Sequence, residues 1–506
     1  MIGTSTAEYV FIRACILGLR SITPLCFVYC LARSLLHVTF PKHVIVDLWA
    51  AAEVAFYLLF YIPRKRQLQS AAVHPPPPTH EQRTRLFNRC SEHVPDFERY
   101  LRGWFMGAPS SEIKRENIRE FLSWAFLDTA DAHALGGDEF DGYMRDIEAR
   151  LGRKVESGRG QARCLRLTID KVRMTHRSLV WYDTPLLCVF VVDMIASTRF
   201  SYYQFDYHRT RRRHWYSVLP PRPHNLFAKR TSPSRSITYW HRPHTAKGKL
   251  PILFVHGIGI GLYPYVNFLS EINATSRRKG SGDVGIIAIE IMPISFRITS
   301  PALRKEEMCA EIDRIVEAHG WDKFVLVSHS YVFSRPPYIL LLTPRERYGS
   351  VISTHMLHSP KLTTKIASIL LIDPVTFLLH LPDVACNFII RKPQHANEHQ
   401  LAYFASQDMG VAHTLSRCFF WSENIMWKED LDGRDVTVSL SGRDLIVDTA
   451  TVRVYLAGEG KWKDKTRNAN DLDVLWFNDL DHAQVFDKAK DRMRLISVLE
   501  RYCARV

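Results

Sequence analysis

What most constrains this chain is a rhythm in its second half. From about residue 250 onward, short apolar runs recur at 251–255, 284–291, 324–327, 367–372, 436–440 and 474–477. Runs this short and this largely apolar suit buried strands. Between them lie helical stretches. In 303–319, Met308, Ile312, Ile315 and Val316 fall at helical spacing, and Gly320 follows as a natural C-cap. Strands of this kind alternating with amphipathic helices predict a doubly wound α/β domain, with a mostly parallel sheet covered on both sides.

The front of the chain has a different texture. The first 62 residues are its most apolar part. Segment 9–32 is mostly hydrophobic but carries Arg13 and Arg20, and segment 44–62 holds only Asp47 and Glu53 as charges. The second matches the length of one bilayer crossing. Arg64, Lys65 and Arg66 close it, and the positive-inside tendency puts that end in the cytosol. The expectation is therefore a membrane anchor over 1–66, made of one or two transmembrane helices, with the remainder facing the cytosol. The opposing reading makes both segments helices of a soluble body.

Pro75 to Pro78 form a stiff extended spacer within a linker at 67–80. A mainly helical region at 81–216 follows, in which Ile118, Phe121, Leu122 and Phe126 share one face. The apolar run 185–196 is too short to span a bilayer and reads as a buried or interfacial helix. Near its end, 200–216 interleave aromatics with Arg209, Arg211, Arg212 and Arg213. The chain carries 67 Lys and Arg against 52 Asp and Glu, a net +15 that suits an anionic surface. Beside a membrane anchor, lipid headgroups are a simpler partner for this patch than nucleic acid. The ten cysteines form no CxxC pair, and no Cys/His spacing reads as a zinc site.

Chemistry concentrates where strands end. FVLVSHSY, 324–331, runs a buried strand directly into Ser328-His329-Ser330. A nucleophilic serine on a tight strand-to-helix turn needs small residues two before and two after it. Ser328 meets the first condition and Val332 fails the second. Omitting 332–348 restores the pattern, because Gly349 then stands two residues after Ser330. The segment reads as an insertion whose Pro336-Pro337 could not continue a helix.

Upstream, His256-Gly257 ends a strand in PILFVHGIGIGLYPY. A phosphate-binding reading of Gly257, Gly259 and Gly261 completes neither a Rossmann nor a Walker pattern. Downstream, Asp444 follows a strand in SGRD, with Asp448 as a second candidate. His482 follows the last apolar run, and Asp373 ends another strand as a weaker candidate acid.

Together these motifs resemble the α/β-hydrolase superfamily over about 250–506, in the manner of membrane-anchored fungal members. The resemblance implies an α/β-hydrolase domain at 217–506, with a helical lid at about 374–432. It implies Ser330 as nucleophile, His482 as base and Asp444 as the orienting acid. The oxyanion hole would come from the backbone N–H groups of Ile258 and Tyr331. The implied activity is a serine esterase or lipase acting on a lipid-like ester, with the membrane as partner, no nucleic acid, and neither metal nor organic cofactor. A serine at the elbow argues against epoxide and haloalkane hydrolysis. Two other readings stand beside it: a catalytically impaired hydrolase fold serving as a membrane scaffold, and a basic nucleic-acid-associated protein.

Overall fold

In the computed structural model all six apolar runs are strands of one sheet. The structure describes residues 3–36, 44–175, 195–210, 225, 228–259, 261–274, 280, 282–295, 299, 303–329, 349–458 and 472–505. The sheet has nine strands: β1 (Asp206–Arg209), β2 (Arg230–Thr231), β3 (Thr238–Arg242), β4 (Ile252–Val255), β5 (Ile286–Glu290), β6 (Phe324–His329), β7 (Ile366–Ile372), β8 (Asp435–Ser441) and β9 (Asp473–Phe477). Their order is β2-β1-β3-β5-β4-β6-β7-β8-β9. From β5 to β9 every neighbouring pair is parallel, while β3 lies antiparallel to both β5 and β1.

Every residue of β4, β5 and β6 is buried, which is why these segments read as unbroken apolar runs rather than alternating ones. Burying each Val, Leu, Ile or Phe there contributes about 1.5–3 kcal/mol. Helices Lys305–Ala318 and Ala489–Cys503 pack on this core through Ile312, Ile315, Leu495 and Leu499.

The sheet starts earlier than the boundary at 217 expected from sequence. Asp206–Arg209 is a strand, and Tyr207 and His208 are buried in it. Part of the basic aromatic run is thus sheet, not open patch. Arg211, Arg212 and Arg213, like most of 185–196, lie outside the described residues.

The preceding helical region forms its own core around Phe87, Trp104, Phe121, Trp124 and Phe140. Segment 374–432 joins that core through Leu379, Trp421 and Trp427. Trp104 Nε1 donates to the carbonyl of His380 at 3.0 Å, and Trp421 Nε1 to that of Ala125 at 2.9 Å. Its middle part also packs Tyr403 and Phe404 against Ile12 and Ile16 of the first helix. The described contacts make this segment the connector between the sheet, the helical region and the N-terminal helices.

Two N-terminal helices, Thr6–Leu36 and Val44–Gln67, are long and apolar enough to cross a membrane. Several of their polar groups meet across the pair. Arg33 meets Asp47 at 2.8 Å, the Tyr29 hydroxyl donates to the other oxygen of Asp47 at 2.6 Å, and Thr23 reaches the buried Glu53. Polar groups facing each other across a helix pair escape the cost of facing hydrocarbon alone.

Candidate functional site

The parallel strands all end on one edge, and four of their C-terminal loops converge there. After β8, Asp444 sits in a turn that accepts two backbone N–H groups on Oδ1, from Ile446 at 2.8 Å and Val447 at 3.0 Å. Its Oδ2 is left to meet Nδ1 of His482, in the loop after β9, in a short hydrogen bond. Both side chains are fully buried. A carboxylate fixed at three points holds one face of the imidazole and directs Nε2 away from itself.

Three further residues strap these loops. The Asp481 carboxylate accepts the backbone N–H of His482 at 2.7 Å and that of Leu445 at 3.0 Å, so it ties the two loops together. Burial, with Asp444 nearby, raises its pKa. Gly442 approaches the backbone of Asn478 so closely that a Cβ would lie 2.6 Å from its carbonyl oxygen. Asp373, after β7, accepts the N–H of Ala483 at 2.7 Å and the Ser441 hydroxyl at 3.1 Å on Oδ2. It does this from a left-handed backbone at φ +43°. Burial pushes its carboxyl pKa up, while His482 pulls it down.

The carboxylates nominated from sequence thus separate by environment. Asp444 holds the imidazole, and Asp373 anchors the residue after it. Asp448 caps helix Thr449–Ala457 through the N–H and hydroxyl of Thr451.

Strand β6 delivers His329 to the same edge, its ring centroid 5.9 Å from that of His482. His329 is fully buried, and desolvation holds its pKa well below the ordinary value, so the ring is neutral. Its Nδ1 lies 2.9 Å from the Tyr265 hydroxyl, which in turn accepts the Gly257 N–H at 3.1 Å. The Tyr265 hydroxyl can then donate a hydrogen bond to Nδ1, which links the loop after β4 to the end of β6. Ile258, the next residue of that loop, is fully buried, and Gly259 donates to the carbonyl of Ile294 at 3.0 Å. Ser330, Tyr331 and segment 332–348 lie outside the described residues. The chain is described again at Gly349, where helix Gly349–Leu357 starts against the carbonyls of His329 and Val255.

Sequence reasoning passed over Tyr265 and Asp481. Both act by joining loops distant in the chain, and the only local hint was the adjacency of Asp481 to His482. A cavity of about 600 Å³ lined by Met106, Cys164, Leu165, Ile389 and Ile390 lies elsewhere, with none of the edge residues in its wall.

No family model matches the chain, and no curated protein sequence does. Solved structures resemble it in part. One is a membrane phospholipase A described as a bacterial virulence factor, 10% identical over 64% of this chain and 96% of that one, at a TM-score of 0.36. A thermophilic esterase from Thermogutta terrifontis is 11% identical over 53% and 94%, at 0.33. Paleococcus ferrophilus monoacylglycerol lipase is 14% identical over 53% and 99%, also at 0.33. Scores this low carry no functional argument, which rests on the residues themselves.

Proposed function

We propose that this chain is a membrane-bound serine hydrolase of the α/β-hydrolase type that cleaves a lipid-like carboxylic ester. The observation that carries the reading is the buried His482–Asp444 pair, beside the point where β6 leads into Ser330.

In this mechanism the Ser330 oxygen attacks the ester carbonyl while Nε2 of His482 takes its proton. Asp444 holds the imidazole in the tautomer whose Nε2 is the proton acceptor, and stabilises the imidazolium that forms. Negative charge on the carbonyl oxygen is met by the N–H groups of Ile258 and Tyr331, each donor contributing about 3–4 kcal/mol. The tetrahedral species collapses, and the alcohol leaves with the proton from His482. Water then attacks the acyl-enzyme with His482 again as base, which releases the acid and restores the Ser330 hydroxyl.

Membrane attachment has support in the N-terminal helices, which expose Val10, Leu17, Leu25, Leu35, Ile45 and Leu59. It also has support at the end of the second. There Gln69 exchanges two hydrogen bonds with the backbone of Val172, at 2.9 and 3.0 Å, and Lys171 and Arg173 line one cavity with Lys65. A basic cluster at a membrane exit suits anionic headgroups on the cytosolic side. An enzyme held there meets lipid esters at high local concentration.

The test is fluorophosphonate labelling of the full chain in detergent and in vesicles. Labelling that disappears in Ser330→Ala supports the hydrolase. Absence of labelling in the unaltered protein, with esterase activity also absent, overturns it and leaves the scaffold reading. A form lacking 332–348, run in parallel, shows whether that segment suppresses reactivity.

A further inference from the structure

At the edge of the sheet opposite those loops, three histidines from distant parts of the chain converge. His208 lies on β1, His241 on β3, and His319 at the C-cap of helix Lys305–Ala318. β1 and β3 pair antiparallel with His208 opposite Tyr239 and Asp206 opposite His241. The period of two therefore puts His208, Tyr239 and His241 on one face, and the end of the helix covers it. Because β3 runs antiparallel to β5, His241 pairs with Ile287 near the start of β5, at the edge away from His482.

The ring nitrogens of the three lie within 4.8 Å of one another. The rings of His241 and His319 are only 3.9 Å apart between centroids, and His208 is 5.6 and 5.5 Å from them. The Tyr239 hydroxyl sits between Nδ1 of His208, at 3.0 Å, and Nε2 of His319, at 2.9 Å. His208 also hydrogen-bonds the backbone of Thr231. A second partner of this kind fixes the tautomer and orientation of a metal-ligating imidazole.

A cavity of about 550 Å³ lined by His208, Thr231, Ser234, Tyr239, Ala318 and His319 gives an ion access.

We propose that His208, His241 and His319 form a binding site for a divalent transition-metal ion, Zn²⁺ by preference. Zn–N bonds of about 2.0–2.1 Å in a tetrahedron set the ligand nitrogens about 3.3 Å apart, a closure that ring rotations supply. Three imidazoles leave the fourth position to water, with the Tyr239 hydroxyl as its neighbour. The ion would clamp β1 and the end of helix Lys305–Ala318 onto β3. Its role is to hold the sheet edge together, separate from ester chemistry.

The experiment uses the full chain in detergent, stripped with chelator, dialysed against Zn²⁺ and analysed for metal content, with thermal unfolding in parallel. The expected result is one retained equivalent and a raised Tm. Affinity should fall at least on the order of 100-fold in His241→Gln and in His319→Gln, while Ser330→Ala and His482→Ala bind as the unaltered chain does. Tyr239→Phe should keep the ion, because it removes no ligand. Co²⁺ loading of the unaltered chain should give the strong visible bands of tetrahedral coordination, a readout that needs no variant to fold. No retained metal and no such bands would overturn the site. So would Zn²⁺ uptake that both His variants leave unchanged, or that His482→Ala abolishes.

Discussion

Gly349 opens its helix directly against the carbonyl oxygen of His329, although twenty positions separate the two in sequence. A Cβ on Gly349 would run into that oxygen and come within 2.9 Å of the carbonyl of Val255. The obstacles are backbone atoms of two central strands, which cannot rotate away as a side chain would. The end of β6 and the start of the next helix thus meet as they would if 332–348 were absent. Close backbone approach is what a glycine two residues after an elbow serine provides. Gly349→Ala should therefore shift the helix or the strand end and cost about 2–4 kcal/mol. Denaturant unfolding measures this. A cost below about 1 kcal/mol would show that the helix relaxes freely, contrary to its nine buried residues.

The parts of this architecture legible in sequence are those where one physical cause dominates. β4 to β8 are buried almost throughout and β9, though only partly buried, still carries the apolar run VLWF, so apolarity marks all six. β1 and β3 were not found, because β3 reads TYWHR and carries a buried arginine. Arg242 is tolerated there by an ion pair with Asp283 at 3.1 Å and by the ring of Phe205 at 5.2 Å, neither visible in a local window. Asp444 and His482 could be nominated because each follows a strand end. Tyr265, Asp481 and the pairing of Arg33 with Asp47 could not, since their meaning lies in contacts between loops or helices far apart in the chain. The three histidines at 208, 241 and 319 escaped the spacing rules for the same reason.

Asp444→Asn tests the imidazole geometry. An amide can still accept the N–H groups of Ile446 and Val447 on its oxygen, so the loop should survive. Facing Nδ1 with an NH₂ donor forces the proton onto Nε2 and removes the base. Under the proposed mechanism kcat should fall about 10⁴-fold with KM little changed. Ester hydrolysis kinetics on the full chain decide it, and a loss confined to KM would assign Asp444 to substrate binding instead.

Tyr265→Phe removes one oxygen that serves two buried partners, Gly257 N–H and His329 Nδ1. The variant fills the same space but leaves a buried donor and a buried acceptor unsatisfied, at a cost of about 1–3 kcal/mol. Because Gly257 precedes Ile258, the loosened loop should also lower kcat more than it raises KM. Unfolding and steady-state kinetics on one preparation separate the two effects. A stability loss with unchanged kcat would confine Tyr265 to packing.

Asp128 carries a pH dependence that has nothing to do with catalysis. It ends helix Arg115–Leu127 in a left-handed conformation, φ +51°, and its N–H caps the carbonyl of Trp124 at 2.9 Å. Burial, with Glu423 nearby, raises its carboxyl from the ordinary 3.8 to about 7, against an opposing hydrogen bond from Thr168. A carboxyl whose pKa is raised by folding favours the folded state in its neutral form. Its contribution is complete below about pH 4 and is lost as pH climbs through about 7. Asparagine keeps the shape, tolerates the left-handed backbone better than most residues, and never ionises. Asp128→Asn should therefore stabilise the chain at pH 8 by on the order of 1 kcal/mol, discounted for the partial exposure of the side chain. At pH 5 the gain should be smaller. Denaturation midpoints of both proteins at the two pH values make the comparison, and an equal gain at both would assign the effect to backbone preference rather than charge.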